Sequence, residues 1–130
     1  MSKLRIKTCD EFENALRAVP FAKARLAAFE DDLRDRRVNH PDLLPYALWG
    51  ALREWVGTAV ESQQWTAFHS LLQLYDSVQR VGKRSEMFEA CYVAFLEDVY
   101  IPNDPAQRRE FFRHSTPVFL ADIKRDRRIL

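Results

Sequence analysis

The stretch "PDLLPYALWGALREWVGTAVESQQWTAFHSLLQLYDSVQRVG", residues 41–82, decides the fold class of this chain. In its first half Leu44, Leu48, Leu52, Trp55, Val56 and Val60 recur at three- and four-residue intervals, the broad apolar face of a helix over about 41–60. In its second half Trp65, Phe68, Leu71, Leu72, Tyr75 and Val78 repeat the pattern. A second helix is therefore expected over about 63–81, with Ser62 as its N-cap and Gly82 as its stop. So short a link between two amphipathic helices favours antiparallel neighbours. Gly50 and Gly57 lie seven residues apart and leave one edge of the first helix bare.

Working outward, helix signals continue on both sides. Thr8-Cys9-Asp10-Glu11 reads as a capping box that opens a short helix to about Val19. Pro20 suits the first turn of the next, with Ala22, Leu26, Phe29 and Leu33 inward, before the charged turn "DDLRDRRVNHPD". Downstream, Ser85 caps a helix that ends before Pro102, Asp104-Pro105 with Gln107 opens another, and Thr116-Pro117 a last one. "LRIK" near the start has strand character but no partner strand. The expectation is an all-α domain spanning residues 1–130, with six to seven helices in antiparallel hairpins around a central sheaf. The hairpin pattern also leaves an α-solenoid-like stack open. The core should contain Trp55, Phe68, Leu72, Phe88, Tyr92 and Phe95.

Composition narrows the functional classes. At 130 residues, 47% hydrophobic and 30% charged, the chain has the make-up of a soluble globular domain. It contains no apolar run of the ~18 residues that a membrane span needs. "MSKLRIKTCDEFENAL" lacks the apolar core of a signal peptide, so a cytoplasmic location is expected. Cys9 and Cys91 are far apart and form no CxxC, which reads as two unbridged thiols, Cys91 buried in the most apolar helix. There is no phosphate loop, HExxH, nucleophile elbow or metal-ligand spacing. Glu110 and His114, four apart, read as a surface pair rather than half of a metal site. The sequence thus points to a binding protein with neither metal nor cofactor, rather than to an enzyme.

Charge is unevenly spread although the net is +1. Residues 41–104 hold four Lys/Arg against nine Asp/Glu, and residues 105–130 hold seven against three. The tail "KRDRRIL" invites a nucleic-acid reading, but interleaved Asp122 and Asp126 make it thin for phosphate binding, and Ile129 and Leu130 suggest that it packs. The acidic middle is more informative. In "EMFEACYVAFLEDVY", residues 86–100, a helical projection puts Phe88, Cys91, Tyr92, Phe95 and Val99 on the core side. Glu86, Glu89 and Glu97 fall opposite, with Val93 and Tyr100 among them and Asp98 at the border. No Lys or Arg interrupts this stretch, unlike a face made only for solubility. Glu97 and Asp98 also sit at a helix C-terminus, where carboxylates are unfavourable. Either Arg108, Arg109 or Arg113 folds back onto them, or a partner supplies the cation. Glu54 and Glu61, beside the two glycines, extend the acidic surface if that edge lies close. His69, Gln73, Asp76 and Arg80 line up as a further polar strip on the 63–81 helix, either a contact strip or a solvated face.

"LLQLYDSV" followed by "EACYVAFLEDVY" resembles the α-helical immunity proteins of bacterial polymorphic toxin systems. The likeness covers about residues 65–101 and rests on an apolar helix ending Phe95-Leu96-Glu97-Asp98 after a Leu-rich one. It implies a cytoplasmic bacterial protein that neutralises a cognate toxin by covering its active or substrate-binding surface. On that reading the contact residues are Glu54, Glu61, Asp76, Glu86, Glu89, Val93, Glu97, Asp98 and Tyr100, facing a basic cleft. A net charge of +1 departs from the strongly acidic character of many such inhibitors. The alternative is a small helical nucleic-acid-associated or regulatory module that uses the basic region 105–130.

Overall fold

Thr8 begins the first helix as its sequence implies. Its hydroxyl accepts the Glu11 N–H at 3.1 Å while the Glu11 carboxylate accepts the Thr8 N–H, closing both halves of the capping box. This is the start of a computed structural model that describes residues 5–79 and 85–127. α1 spans Cys9–Arg17, α2 Pro20–Leu26 and α3 Glu30–Asn39, the last two joined through a 3-10 turn at Ala27–Phe29 into one helical arm. After a second 3-10 turn at Pro41–Leu43 come α4, Leu44–Glu61, and α5, Trp65–Gln79. α6 spans Glu86–Cys91 and runs on into a π-helical turn at Tyr92–Leu96. α7, Pro105–His114, and α8, Pro117–Arg127, complete the chain. With α2 and α3 taken as one body there are seven helices, and the described residues contain no strand. Residues 5–7 of the "LRIK" stretch are not in a strand, Leu4 lying outside the described residues. Instead Ile6 is buried and its N–H donates to the Ser77 carbonyl on α5 at 3.2 Å.

The hairpin between α4 and α5 forms, but its turn works differently from the expectation. Ser62 closes α4 instead of capping α5, its hydroxyl donating back to the Thr58 carbonyl at 2.7 Å. The Gln64 N–H reaches the Ala59 carbonyl and the Gln63 N–H the Val60 carbonyl, a Schellman arrangement. That closure requires a left-handed residue, and Gln63 supplies it at φ 57°. Ser62 is needed for the end of one helix, so it is not free to begin the next. The expected Gly82 stop lies outside the described residues.

Trp49 marks the centre of the core. It is fully buried and meets Phe12 of α1, Tyr75 of α5 and Phe95 of the π turn at ring-centroid distances of 5.0, 6.1 and 5.3 Å. Phe119 of α8 closes on Tyr75 and Phe95 from the other side. Helices from both ends of the chain thus share one apolar cluster. In a solenoid each unit would touch only its neighbours, so this is a bundle and not a stack. Of the expected core residues Trp55, Phe68, Leu72 and Phe95 are buried and Phe88 is half-buried, but Tyr92 is 50% exposed. The cause is the π turn. Its wider i→i+5 closure, seen in the Glu97 N–H to Tyr92 carbonyl bond at 2.9 Å, rotates the helix less per residue than a projection at constant pitch assumes. Tyr92 swings outward and Leu96 swings in, while Val99 stays buried as expected.

Cys9 and Cys91 are both buried free thiols. Burial pushes each thiol well above its ordinary value, and Cys9, whose Sγ–H donates to Glu86 Oε2 at 3.0 Å, is raised further by that carboxylate. No described helix is long and apolar enough to cross a membrane.

Candidate partner-binding face

α4 and α6 lie side by side and run parallel. The register is set by three contacts taken in the same order along both. The Trp49 indole N–H donates to the Met87 carbonyl at 2.6 Å, Arg53 Nη1 to the Ala94 carbonyl at 3.3 Å, and a Cβ built on Gly57 would lie 3.9 Å from that of Tyr100. The bare glycine edge of α4 therefore does face the end of α6, as a continuous acidic surface requires. Glu54 and Glu61, one turn either side of Gly57, flank the place where Tyr100 comes down. Both carboxylates are exposed. On α6 and its π turn, Val93 is 56% exposed, with Glu89 and Glu97 about one turn away on each side, and Tyr100 is 41% exposed. In residues 44–61 and 86–100 together six side chains are acidic and one, Arg53, is basic.

Arg53 resolves how Glu97 and Asp98 can sit at a helix end. Its guanidinium gives one hydrogen bond to the Ala94 carbonyl, in the last turn, and lies 3.8 Å from Asp98. A cation against a terminal carbonyl offsets the negative end of the helix dipole. Two of the cations expected to do this, Arg108 and Arg113, are engaged elsewhere. Arg108 donates to the Pro102 carbonyl and stacks over Phe112, while Arg113 lies 3.6 Å from Glu110. The Arg53–Asp98 pair is long and largely solvated, worth no more than about 1 kcal/mol. It leaves residues 44–61 and 86–100 together net acidic.

Two expected contact residues are placed differently. Asp76 is buried at 7% exposure, and its Oδ1 accepts the Thr116 hydroxyl at 2.8 Å where α8 begins. It holds the α7–α8 corner to α5 and is not on an outer surface. The strip His69, Gln73, Asp76, Arg80 is broken accordingly, with His69 Nδ1 2.9 Å from the His114 carbonyl and Arg80 outside the described residues. Glu86 is exposed, but its carboxylate is turned to α1, where it accepts from Cys9. The structure brings together Glu54, Glu61, Glu89, Val93, Glu97, Asp98 and Tyr100.

Two residues join them that the sequence reading did not place there. Tyr92 was expected in the core, and no sequence signal announces a π turn. Its hydroxyl is bonded to Asp126 of α8, and this hydrogen bond, together with the Asp126 charge, raises the phenol above its ordinary value. Arg53 was legible, since it sits one turn before Gly57 on the same edge. The basic tail is partly spent within α8, where Arg125 pairs with Asp122 at 2.7 Å and Asp122 also accepts the Tyr75 hydroxyl. Arg128, Ile129 and Leu130 lie outside the described residues. Among the described residues no group of three or more His, Cys, Asp or Glu side chains is placed to hold a metal ion, and Glu110 and His114 stand 3.3 Å apart as a pair. Comparison with protein-family models, with curated proteins and with solved structures finds no match to this chain.

Proposed function

We propose that the chain is a protein-binding module, an immunity protein that neutralises a cognate toxin by laying the α4–α6 face over the toxin's basic active or substrate-binding surface. The observation that carries this reading is the composition of that face. Exposed Val93, Tyr92 and Tyr100 lie among Glu54, Glu61, Glu89, Glu97 and Asp98, and Arg53 is the single cation of residues 44–61 and 86–100. Apolar and aromatic anchors set in a polar rim are the anatomy of specific interfaces. A one-signed rim steers an oppositely charged partner and orients it. The resemblance of residues 65–101 to helical immunity proteins supplies the biological role. A cytoplasmic bacterial setting belongs to the same proposal.

The test is a growth assay in which the product of the reading frame beside this gene is expressed with and without this chain. Growth inhibition by that product and rescue by the wild-type chain are expected. Rescue should fail for the Glu61→Lys, Glu89→Lys double variant, which keeps its fold because exposed substitutions stay within about 0.5 kcal/mol. Lys124→Glu with Arg125→Glu should leave rescue intact. If instead the tail variant loses activity and the acidic-face variant keeps it, the reading gives way to a nucleic-acid or regulatory module that works through residues 105–130.

A further inference from the structure

Away from the acidic face, and sharing no residue with it, an open cleft of about 680 Å³ lies between the start of α2 and the first turns of α5. Phe21, Arg25, Gln63, Trp65, Thr66 and Ser70 line it among others, and Arg25 is the only charged residue of the lining. Its volume is that of a small-molecule site, roughly 300–1,000 Å³.

Arg25 is one of four arginines, with Arg5, Arg108 and Arg109, that have no carboxylate within ion-pair distance among the described residues, and it is the one of them that lines this cleft. Arg17, Arg34, Arg36, Arg37, Arg53, Arg113 and Arg125 each stand within 4.0 Å of a carboxylate. Arg25 has no such partner among the described residues. Its guanidinium lies over the Phe21 ring, 3.6 Å from the centroid, and Nη1 donates to the Phe21 carbonyl at 3.0 Å. Ring and carbonyl fix the fork in place but bring no counter-charge, and a single bond uses only part of its five donors. A held guanidinium with donors to spare is suited to a carboxylate or phosphate, which it meets in plane through two bonds.

The rest of the cleft is neutral and polar on an aromatic wall. No hydrogen bond ties the side chains of Gln63, Thr66 or Ser70 to the described residues, so all three are available to a ligand. Trp65 is half-buried and held rigid, stacked on the His114 ring at 5.4 Å and 7° and met edge-on by Phe68. A fixed indole offers a flat ligand ring a contact that loses little side-chain freedom on binding.

The geometry points to a binding site for a small organic anion with a flat ring, its carboxylate or phosphate on Arg25 and its ring towards Trp65. The experiment is an NMR titration of the intact chain, following the Trp65 indole N–H and the amides of residues 63–70. The probes are AMP and indole-3-acetate, with adenosine as the ring without the anion and inorganic phosphate as the anion without the ring. Saturable shifts are expected from AMP or indole-3-acetate by about 10 mM, which corresponds to a modest binding free energy. Adenosine and inorganic phosphate should each bind at least about tenfold more weakly, as should AMP or indole-3-acetate to Arg25→Gln, since a bond to a charged group is worth about that much. The variant's melting temperature and spectrum report that it remains folded. No saturable shift from either ring anion overturns the assignment. So does adenosine binding as well as AMP, or a folded Arg25→Gln chain that binds as the wild type does.

Discussion

Phe95 shows how much one side chain carries. It is fully buried and meets Trp49, Tyr75 and Phe119 at 5.3, 5.5 and 5.9 Å, so three helices lose a common contact if it is shortened. Phe95→Ala should cost about 3–5 kcal/mol, read as a lower urea midpoint at an unchanged slope. The same interior makes the protein sensitive to alkali. Burial raises Cys9, Cys91 and Tyr75 above their ordinary values of 9.0, 9.0 and 10.0, with the Asp122 hydrogen bond adding to the rise at Tyr75. Each group then holds its proton more tightly folded than unfolded. Its stabilisation is complete below the ordinary value and is lost as the pH climbs above it. Melting temperature should therefore fall as pH rises from about 9, and Cys91→Ala should flatten that fall. A melting temperature that rises from pH 8 to 10 would show the burial of these groups to be wrong.

Helix ends are where single elements were most and least legible. Thr8, Ser85 and Asp104 each cap the helix their positions imply, with hydroxyl or carboxylate bonded to the N–H three residues on. Thr8→Ala should lower stability by about 1 kcal/mol, measurable as a shift of several degrees in melting temperature. Gln63 shows the opposite case. A left-handed residue is needed between α4 and α5, and a side chain there is strained where glycine is not. Gln63→Gly should raise stability by up to about 1 kcal/mol, the relief being partly offset by the greater freedom of glycine in the unfolded chain. Calorimetry of the two proteins decides the sign. The π turn of α6 moves Tyr92 to the surface and brings Leu96 inward, and so shapes the aromatic part of the acidic face.

At the scale of the whole molecule the acidic face exists because α4 and α6, 25 residues apart in the chain, come to lie side by side. Six acids against one base over these stretches predict a binding rate that depends on salt. Raising ionic strength from about 0.05 to 0.5 M should slow association with the proposed toxin several-fold while changing dissociation little. Stopped-flow measurement of both rates checks this, and an association rate indifferent to salt would remove charge steering from the account.

The sequence by itself determined the helices and most of their ends, because a 3.6-residue apolar period and a capping side chain are local properties that survive tertiary packing. It also marked the acids of residues 86–100 as a group without local counter-charge. Only the tertiary structure decided which of them share a surface. Asp76 looked solvent-facing on its helix, yet a second helix start, Thr116, arrives to bond and bury it. Glu86 looked like part of the outer stripe, yet α1 brings Cys9 to its carboxylate. Asp98 was matched in sequence to the arginines of α7, yet the nearest guanidinium comes from α4. In each case the deciding partner lies forty or more residues away, so no window of local periodicity contains it. The uncompensated Arg25 is of the same kind, since its place in the cleft without a described carboxylate beside it is a property of space that no count of charges along the chain reveals.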